Sequence, residues 1–406
     1  MHSPWRKLIS SGAFLLLFQT FEAFISGAQQ AEPKSHSSSA TVDRQNFVGD
    51  EACRSCHSEK AASYFGTAHR LTSQIAAKKS VLGSFADGEN ILKTSDPALF
   101  FQMDIKPDGL YQTAVWGIPP ATVTRSEKMD VIIGSGRKGQ SYLFWKGDHL
   151  LQLPVSYWTD LHTWINSPGY RDGEANFERR VISNCLGCHL SYAKAIGSPV
   201  LSNQFEKTSL VMGISCERCH GPARQHVDAM TAKKSETQIT NPDKLPRDNQ
   251  INVCAQCHGG LRAPLVDPFT YVPGDSLDKY FRKDSSSLST TVDVHGNQVA
   301  LLQMSRCYQS SANMSCSTCH DVHQSQLDAS AFSSRCLTCH RAETCGEFPK
   351  LKEKLMGNCV TCHMPVQASN VIISNLNGKP SRALVRSHWI KIYPDARLDS
   401  TPGASQ

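Results

Sequence analysis

Seven times the chain repeats the pentad Cys-x-x-Cys-His: Cys53, Cys56 and His57; Cys185, Cys188 and His189; Cys216, Cys219 and His220; Cys254, Cys257 and His258; Cys316, Cys319 and His320; Cys336, Cys339 and His340; Cys359, Cys362 and His363. Two thiols and an imidazole this close together serve two chemistries. A zinc structural site closes with four Cys or His ligands. The same pentad is the attachment signature of a c-type haem, both sulfurs bonded to the porphyrin and the adjacent histidine to the iron. Zinc tolerates variable spacing and either ligand type at each position, whereas thioether attachment fixes order and spacing. Seven pentads use fourteen of the sixteen cysteines, which points to seven covalently attached haem c groups and excludes a zinc-binding module.

The pentads supply the fifth ligands: His57, His189, His220, His258, His320, His340 and His363. The sixth position separates two functions. An iron with two protein ligands passes electrons, and an open iron binds a small molecule. Setting aside the pentads and the first 45 residues, the chain has seven further histidines: His69, His149, His162, His226, His295, His323 and His388. His323 is at most one helical turn from His320 and cannot reach the opposite face of the same iron, so it is assigned to a neighbouring one. His226 follows the pentad of His220 in the same way. His69, His295 and His388 complete the stronger candidates. His162, between Trp158 and Trp164, is as well suited to a packed core as to an iron. His149 follows the turn Lys146-Gly147-Asp148, where a histidine ordinarily faces solvent. Met364 directly follows His363 and cannot ligate that iron, while Met212, Met304 and Met314 suit packing against porphyrin.

The elements that carry these residues divide unevenly. Arg6 and Lys7, an apolar run from Leu8 to Ile25 and the small residues Ser26-Gly27-Ala28 form a secretory signal over 1–28. A cleaved signal is favoured over a membrane anchor because Gln19 and Glu22 interrupt the run. Haem attachment outside the cytoplasmic membrane agrees with export to the periplasm. Residues 29–45 are a Ser-rich linker that holds His36, and 46–80 are a first haem segment with a helix through 58–73. Residues 81–180 lack pentads and read as a small β-rich insertion, with strand pairs in 98–116 and 140–158 around Lys106-Pro107-Asp108-Gly109 and Lys146-Gly147-Asp148. Residues 181–390 carry six pentads, and 391–406 form a tail. With under about forty residues per haem, such segments rarely build an adequate apolar core alone, so haem faces must supply much of it. The expected fold class is mainly α, short helices and long loops packed on haem, with the β-rich insertion added.

One motif misleads. Gly134-Ser135-Gly136-Arg137-Lys138-Gly139 matches the dinucleotide-binding glycine pattern, but the next residues, 140–145, read as a strand and not the helix that pattern requires. Hairpin glycines are the better reading. Cys307 and Cys345, the cysteines outside the pentads, suggest a disulfide in an oxidising compartment.

The formal charge of +6 falls to +5 when residues 1–28, with two cations and one anion, are removed. Two propionates per haem outweigh the one positive charge of a ferric porphyrin, so the loaded protein is near neutral or acidic. The scattered basic excess reads as propionate counter-charge, and nucleic acid is not an expected partner.

The segments 49–69, 215–227, 314–323, 358–365 and 387–390 resemble the cytochrome c-554 family. That family is related in haem packing to multihaem nitrite reductases and hydroxylamine oxidoreductases. The resemblance covers 47–80 and most of 181–390, and it implies bis-histidine haems in a mostly helical, haem-packed fold. It also implies ligand roles for His69, in Thr67-Ala68-His69, and for His323. The pentad-free stretch and the seven pentads depart from the tetrahaem members.

The leading function is therefore a periplasmic electron carrier with redox-protein partners, either free or peripheral at the membrane, and no transmembrane helix in the mature chain. The alternative is an oxidoreductase with one open haem, acting on a small nitrogen or sulfur compound. No pentad carries the terminal lysine that marks the catalytic haem of nitrite reductases. An open haem would border 81–180 or its junction with 181–190, where Arg125, Arg137 and Lys138 could draw in an anion.

Overall fold

The computed structural model describes residues 44–235, 238–282, 297–376, 378–394 and 396. The signal segment, His36, His295 and most of the C-terminal tail lie outside the described residues.

Two antiparallel sheets dominate the pentad-free stretch. The first is four-stranded, in the order Ile91–Lys93, Leu99–Lys106, Gly109–Ile118 and Ala121–Lys128. Side chains alternate across it as period-two geometry requires. Leu99, Phe101 and Met103 point inward, and their strand pairs Phe101 with Ala114 and Met103 with Gln112. Buried Gln112 completes its hydrogen bonding on another strand: its amide donates to the Val155 carbonyl at 2.7 Å and accepts from the Val155 N–H at 3.0 Å. The second sheet has seven strands. Its path runs Ser73–Ile75, Val131–Ile133, Gly139–Lys146, His149–Gln152 and Arg179–Arg180, and Val155–Trp158 and Thr163–Asn166 branch from Gly139–Lys146. Phe101, Met103, Tyr142, Phe144, Trp164 and Phe177 form the core between the sheets.

The mainly α expectation is overturned: among the described residues helix accounts for only 29% and strand for 26%. Two causes are visible. A pentad needs one helical turn and no more, since that already puts both cysteines on one side of the chain. Cys216–His220 stops at Gly221, and Cys359–His363 precedes Pro365. The longest described helix, Arg247–His258, has 12 residues. The β structure is also larger than an insertion confined to 81–180. The second sheet starts at Ser73, and a further hairpin, Val366–Leu376 with Lys379–Arg386, follows the last pentad. The helix expected over 58–73 ends at Tyr64, just before Gly66, and the chain turns through His69 into the sheet.

Gly134 and Gly136 have positive φ, 106° and 84°, in the connection between Val131–Ile133 and Gly139–Lys146. The glycine pattern belongs to a hairpin. A second cluster of buried side chains, including Val131, Leu143, Leu150, Leu186, Leu190, Phe205 and Phe269, seats the pentad of His189 against the second sheet.

Candidate haem-binding sites

The pentads are held by one another and by the loops around them. Buried Glu217 accepts from the Val48, Gly49 and Ala223 N–H groups, each within 3.0 Å, which ties the chain ahead of His57 to the pentad of His220. Asp50 accepts from the Cys216 N–H at 3.0 Å and pairs with Arg70 at 2.9 Å. Gly213 lies against the Arg70 carbonyl with φ +69°, a position where any Cβ would collide, and so lets the chain beside His69 close onto the pentad of His220. The loop that bears His388 is pinned by buried Ser305, which donates to the His388 carbonyl at 3.1 Å and accepts from the Ile390 N–H at 2.8 Å.

Four histidine pairs come together across the fold. The ring centres of His57 and His226 are 6.4 Å apart, His220 and His323 6.1 Å, His320 and His388 6.1 Å, and His69 and His258 6.0 Å. The first three pairs are within 17°, 25° and 21° of parallel, and the fourth is turned by 86°. An imidazole nitrogen sits about 1 Å from its ring centre, and a metal–imidazole bond runs about 2.0 Å. Two imidazoles on opposite faces of one iron therefore place their centres about 6 Å apart. Each pair joins one pentad histidine to one outside histidine.

Tautomers point the same way. His220 Nδ1 lies 2.8 Å from the Thr240 carbonyl oxygen and His363 Nδ1 2.9 Å from the Lys391 carbonyl oxygen. A carbonyl only accepts, so Nδ1 carries the proton and Nε2 keeps its lone pair for a metal. Burial pushes His258 and His388 down to about 4 and also lowers His69, His320 and His323, which favours the neutral, ligating imidazole. The residues present thus fit haem iron ligated on both faces. His189 Nδ1 meets the Thr72 hydroxyl at 2.9 Å, and His340 is exposed at the end of its pentad.

The other two described candidates sit elsewhere. His149 lies 3.2 Å through Nδ1 from the Asn203 amide oxygen, with its side chain 47% exposed. His162 is exposed, in a left-handed turn with φ 50°. Arg125 is engaged by Glu127 and Glu178 at 3.0 Å, and Lys138 by Asp160 at 2.9 Å, so neither is a free anion guide.

Pentad cysteines meet in pairs. The thiols of Cys53 and Cys216, Cys188 and Cys257, Cys254 and Cys316, and Cys336 and Cys359 are close enough to influence one another. The expected disulfide is not formed: Cys307 and Cys345 are both free. Cys307 lies in the neighbourhood of Cys319 and Cys336, and Cys345 in that of Cys359 and Cys362, each beside different pentads. Sequence reasoning missed Glu217 and Arg218, the variable residues of their pentad, whose opposite charges in a one-turn helix were the available signal.

Comparison with known proteins now bears on this arrangement. The family described as "Cytochrome c554 and c-prime" matches residues 162–221. Multiheme cytochrome MtrA of Shewanella baltica (strain OS185) is 27% identical over 203 residues, 44% of this chain. The match spans 58% of that relative's length. In fold, the chain is similar to the outer cell wall cytochrome OcwA, with a TM-score of 0.54, 18% identity and coverage of 85% of this chain and 80% of the other. The likeness in sequence to multiheme cytochromes, beside a likeness in fold, supports a multihaem c-type cytochrome, the chemistry that the repeated pentads require.

Proposed function

We propose that the protein is an exported electron-transfer protein that works between redox partner proteins and carries seven covalent haem c groups. The observation that carries this reading is the 6.0–6.4 Å separation of four histidine pairs, each spanning two distant parts of the chain. In this reading His57 with His226, His258 with His69, His220 with His323 and His320 with His388 each close one iron. Haem c supplies a one-electron ferric/ferrous couple when bound. The protein's part is to orient imidazoles such as His220 and His363 through their Nδ1 carbonyl partners, keep small molecules off the closed irons and set the attachment sites side by side.

The cysteine contacts and the shared loops order those sites. The site of Cys185 adjoins that of Cys254, which adjoins that of Cys316. His388 links the site of Cys316 to the loop holding His363, and Cys336 meets Cys359. These neighbours support a path for electrons from the site of Cys185 toward the exposed His340. Export places the protein in the periplasm, and no helix among the described residues is long and apolar enough to cross a membrane.

The positions of His149 and His162 favour a second reading. With both held away from the histidine pairs, the distal histidines are fewer than the irons, and an open iron could serve a small nitrogen or sulfur substrate. EPR of the oxidised protein, with carbon monoxide added to the reduced form, separates the readings. Low-spin signals without a CO response support the carrier, and a stoichiometric high-spin, CO-binding haem supports the oxidoreductase.

A further inference from the structure

Glu217 and Arg218 are neighbours in one pentad, and both are buried, with 3% and 6% of their surfaces exposed. They point into different haem-attachment sites. Glu217 reaches back to the Val48 and Gly49 amides ahead of Cys53. Its three hydrogen-bond donors are uncharged amides, and Cys53 lies in the combined field of Glu217 and Asp50. Asp50 is matched by Arg70 at 2.9 Å, so the charge left over on this side is that of Glu217.

Arg218 turns the other way. Its Nη2 donates to the Gly187 carbonyl at 3.2 Å and the Pro268 carbonyl at 3.1 Å, and its guanidinium lies 5.6 Å from the centre of the Phe269 ring. Gly187 is inside the pentad of His189, and Cys257 of the pentad of His258, like Cys219 of Arg218's own pentad, lies in the Arg218 field. Arg218 Nε is buried without a hydrogen-bond partner, and no carboxylate stands within ion-pair distance of it among the described residues. Asp267, which accepts from the Phe269 N–H at 3.0 Å, is the nearby opposing charge and only partly offsets the cation.

A buried charge of this kind costs several kcal/mol in desolvation, so two of opposite sign side by side call for a function. Reduction of a ferric haem by one electron removes one positive charge from the site. A fixed anion therefore favours the ferric form and lowers the reduction potential, and a fixed cation raises it. On the reading that the pentads carry haem c, we infer that Glu217 and Arg218 set a potential step. Glu217 holds the haem of Cys53 and Cys56 low, and Arg218 holds the haems of Cys185/Cys188 and Cys254/Cys257 high. Electrons delivered by a partner then come to rest on the side of the second sheet.

Spectroelectrochemical titration of the haem-loaded protein tests this, with electrons supplied by the electrode and haem counted on the same samples by intact mass. Arg218→Gln is expected to shift the highest-potential components downward, while Arg218→Lys keeps them near their original position. Glu217→Gln is expected to shift a low-potential component upward. Each variant should retain the full haem complement and its low-spin spectrum. Unchanged midpoints in both Gln variants, or equal shifts of every component in Arg218→Gln and Arg218→Lys alike, would overturn the inference. A wild-type mass without seven haems would instead overturn the reading on which it rests.

Discussion

His320 and His388 face each other with ring centres 6.1 Å apart and planes 21° from parallel. One belongs to a pentad, and the other to a loop beyond the last hairpin, held by Ser305. Removing an outside histidine should open one iron and leave the thioethers intact. His388→Ala and His323→Ala are each expected to convert one low-spin haem to a high-spin, CO-binding haem, with no change in covalent mass. EPR spin quantitation of the oxidised variants checks this; retention of every low-spin signal would place those rings away from iron.

His149 and His162 give the complementary case. With His149 beside Asn203 and His162 in an exposed turn, replacing either by alanine should leave the low-spin intensity and the CO response at wild-type levels. A new high-spin signal in His162→Ala would restore it as a ligand.

The two-sheet core should be separable from haem attachment. Phe101 is fully buried between the sheets, and Phe101→Ala is expected to cost about 3–5 kcal/mol of stability. Chemical denaturation followed by tryptophan fluorescence measures that loss, and intact mass should still report the full haem complement.

Asp130 gives a pH dependence. Burial raises its carboxyl above the ordinary 3.8, although it accepts from the Trp145 N–H at 2.9 Å and feels Lys128 and Lys207. The folded chain holds this proton more tightly than the unfolded chain. The stability it contributes is present below the unfolded value and lost as pH rises through the folded one. Asp130→Asn is therefore expected to raise Tm modestly near pH 7 and to leave it unchanged near pH 3. Thermal scans at the two pH values decide it.

What could be read from the sequence was chemistry with strict local spacing. The pentads name their candidate ligands by spacing alone, and the turns at Lys106-Pro107-Asp108-Gly109 and Lys146-Gly147-Asp148 yielded strand pairs where the structure has them. The hairpin after the last pentad was legible too, from Asn377-Gly378 between strand-like runs, but the expectation of a helical haem region obscured it. Other features depend on long-range packing. Nothing local to Thr67-Ala68-His69 says that its ring meets His258, and the even remainder of Cys307 and Cys345 does not reveal that they sit beside different pentads.

Diffraction from crystals of the haem-loaded protein at the iron absorption edge tests the central claim most directly. The expected anomalous map has seven iron peaks, four of them midway between the rings of His57 and His226, His69 and His258, His220 and His323, and His320 and His388. A peak missing from between any of these pairs, or paired rings that approach two different irons, would contradict the account.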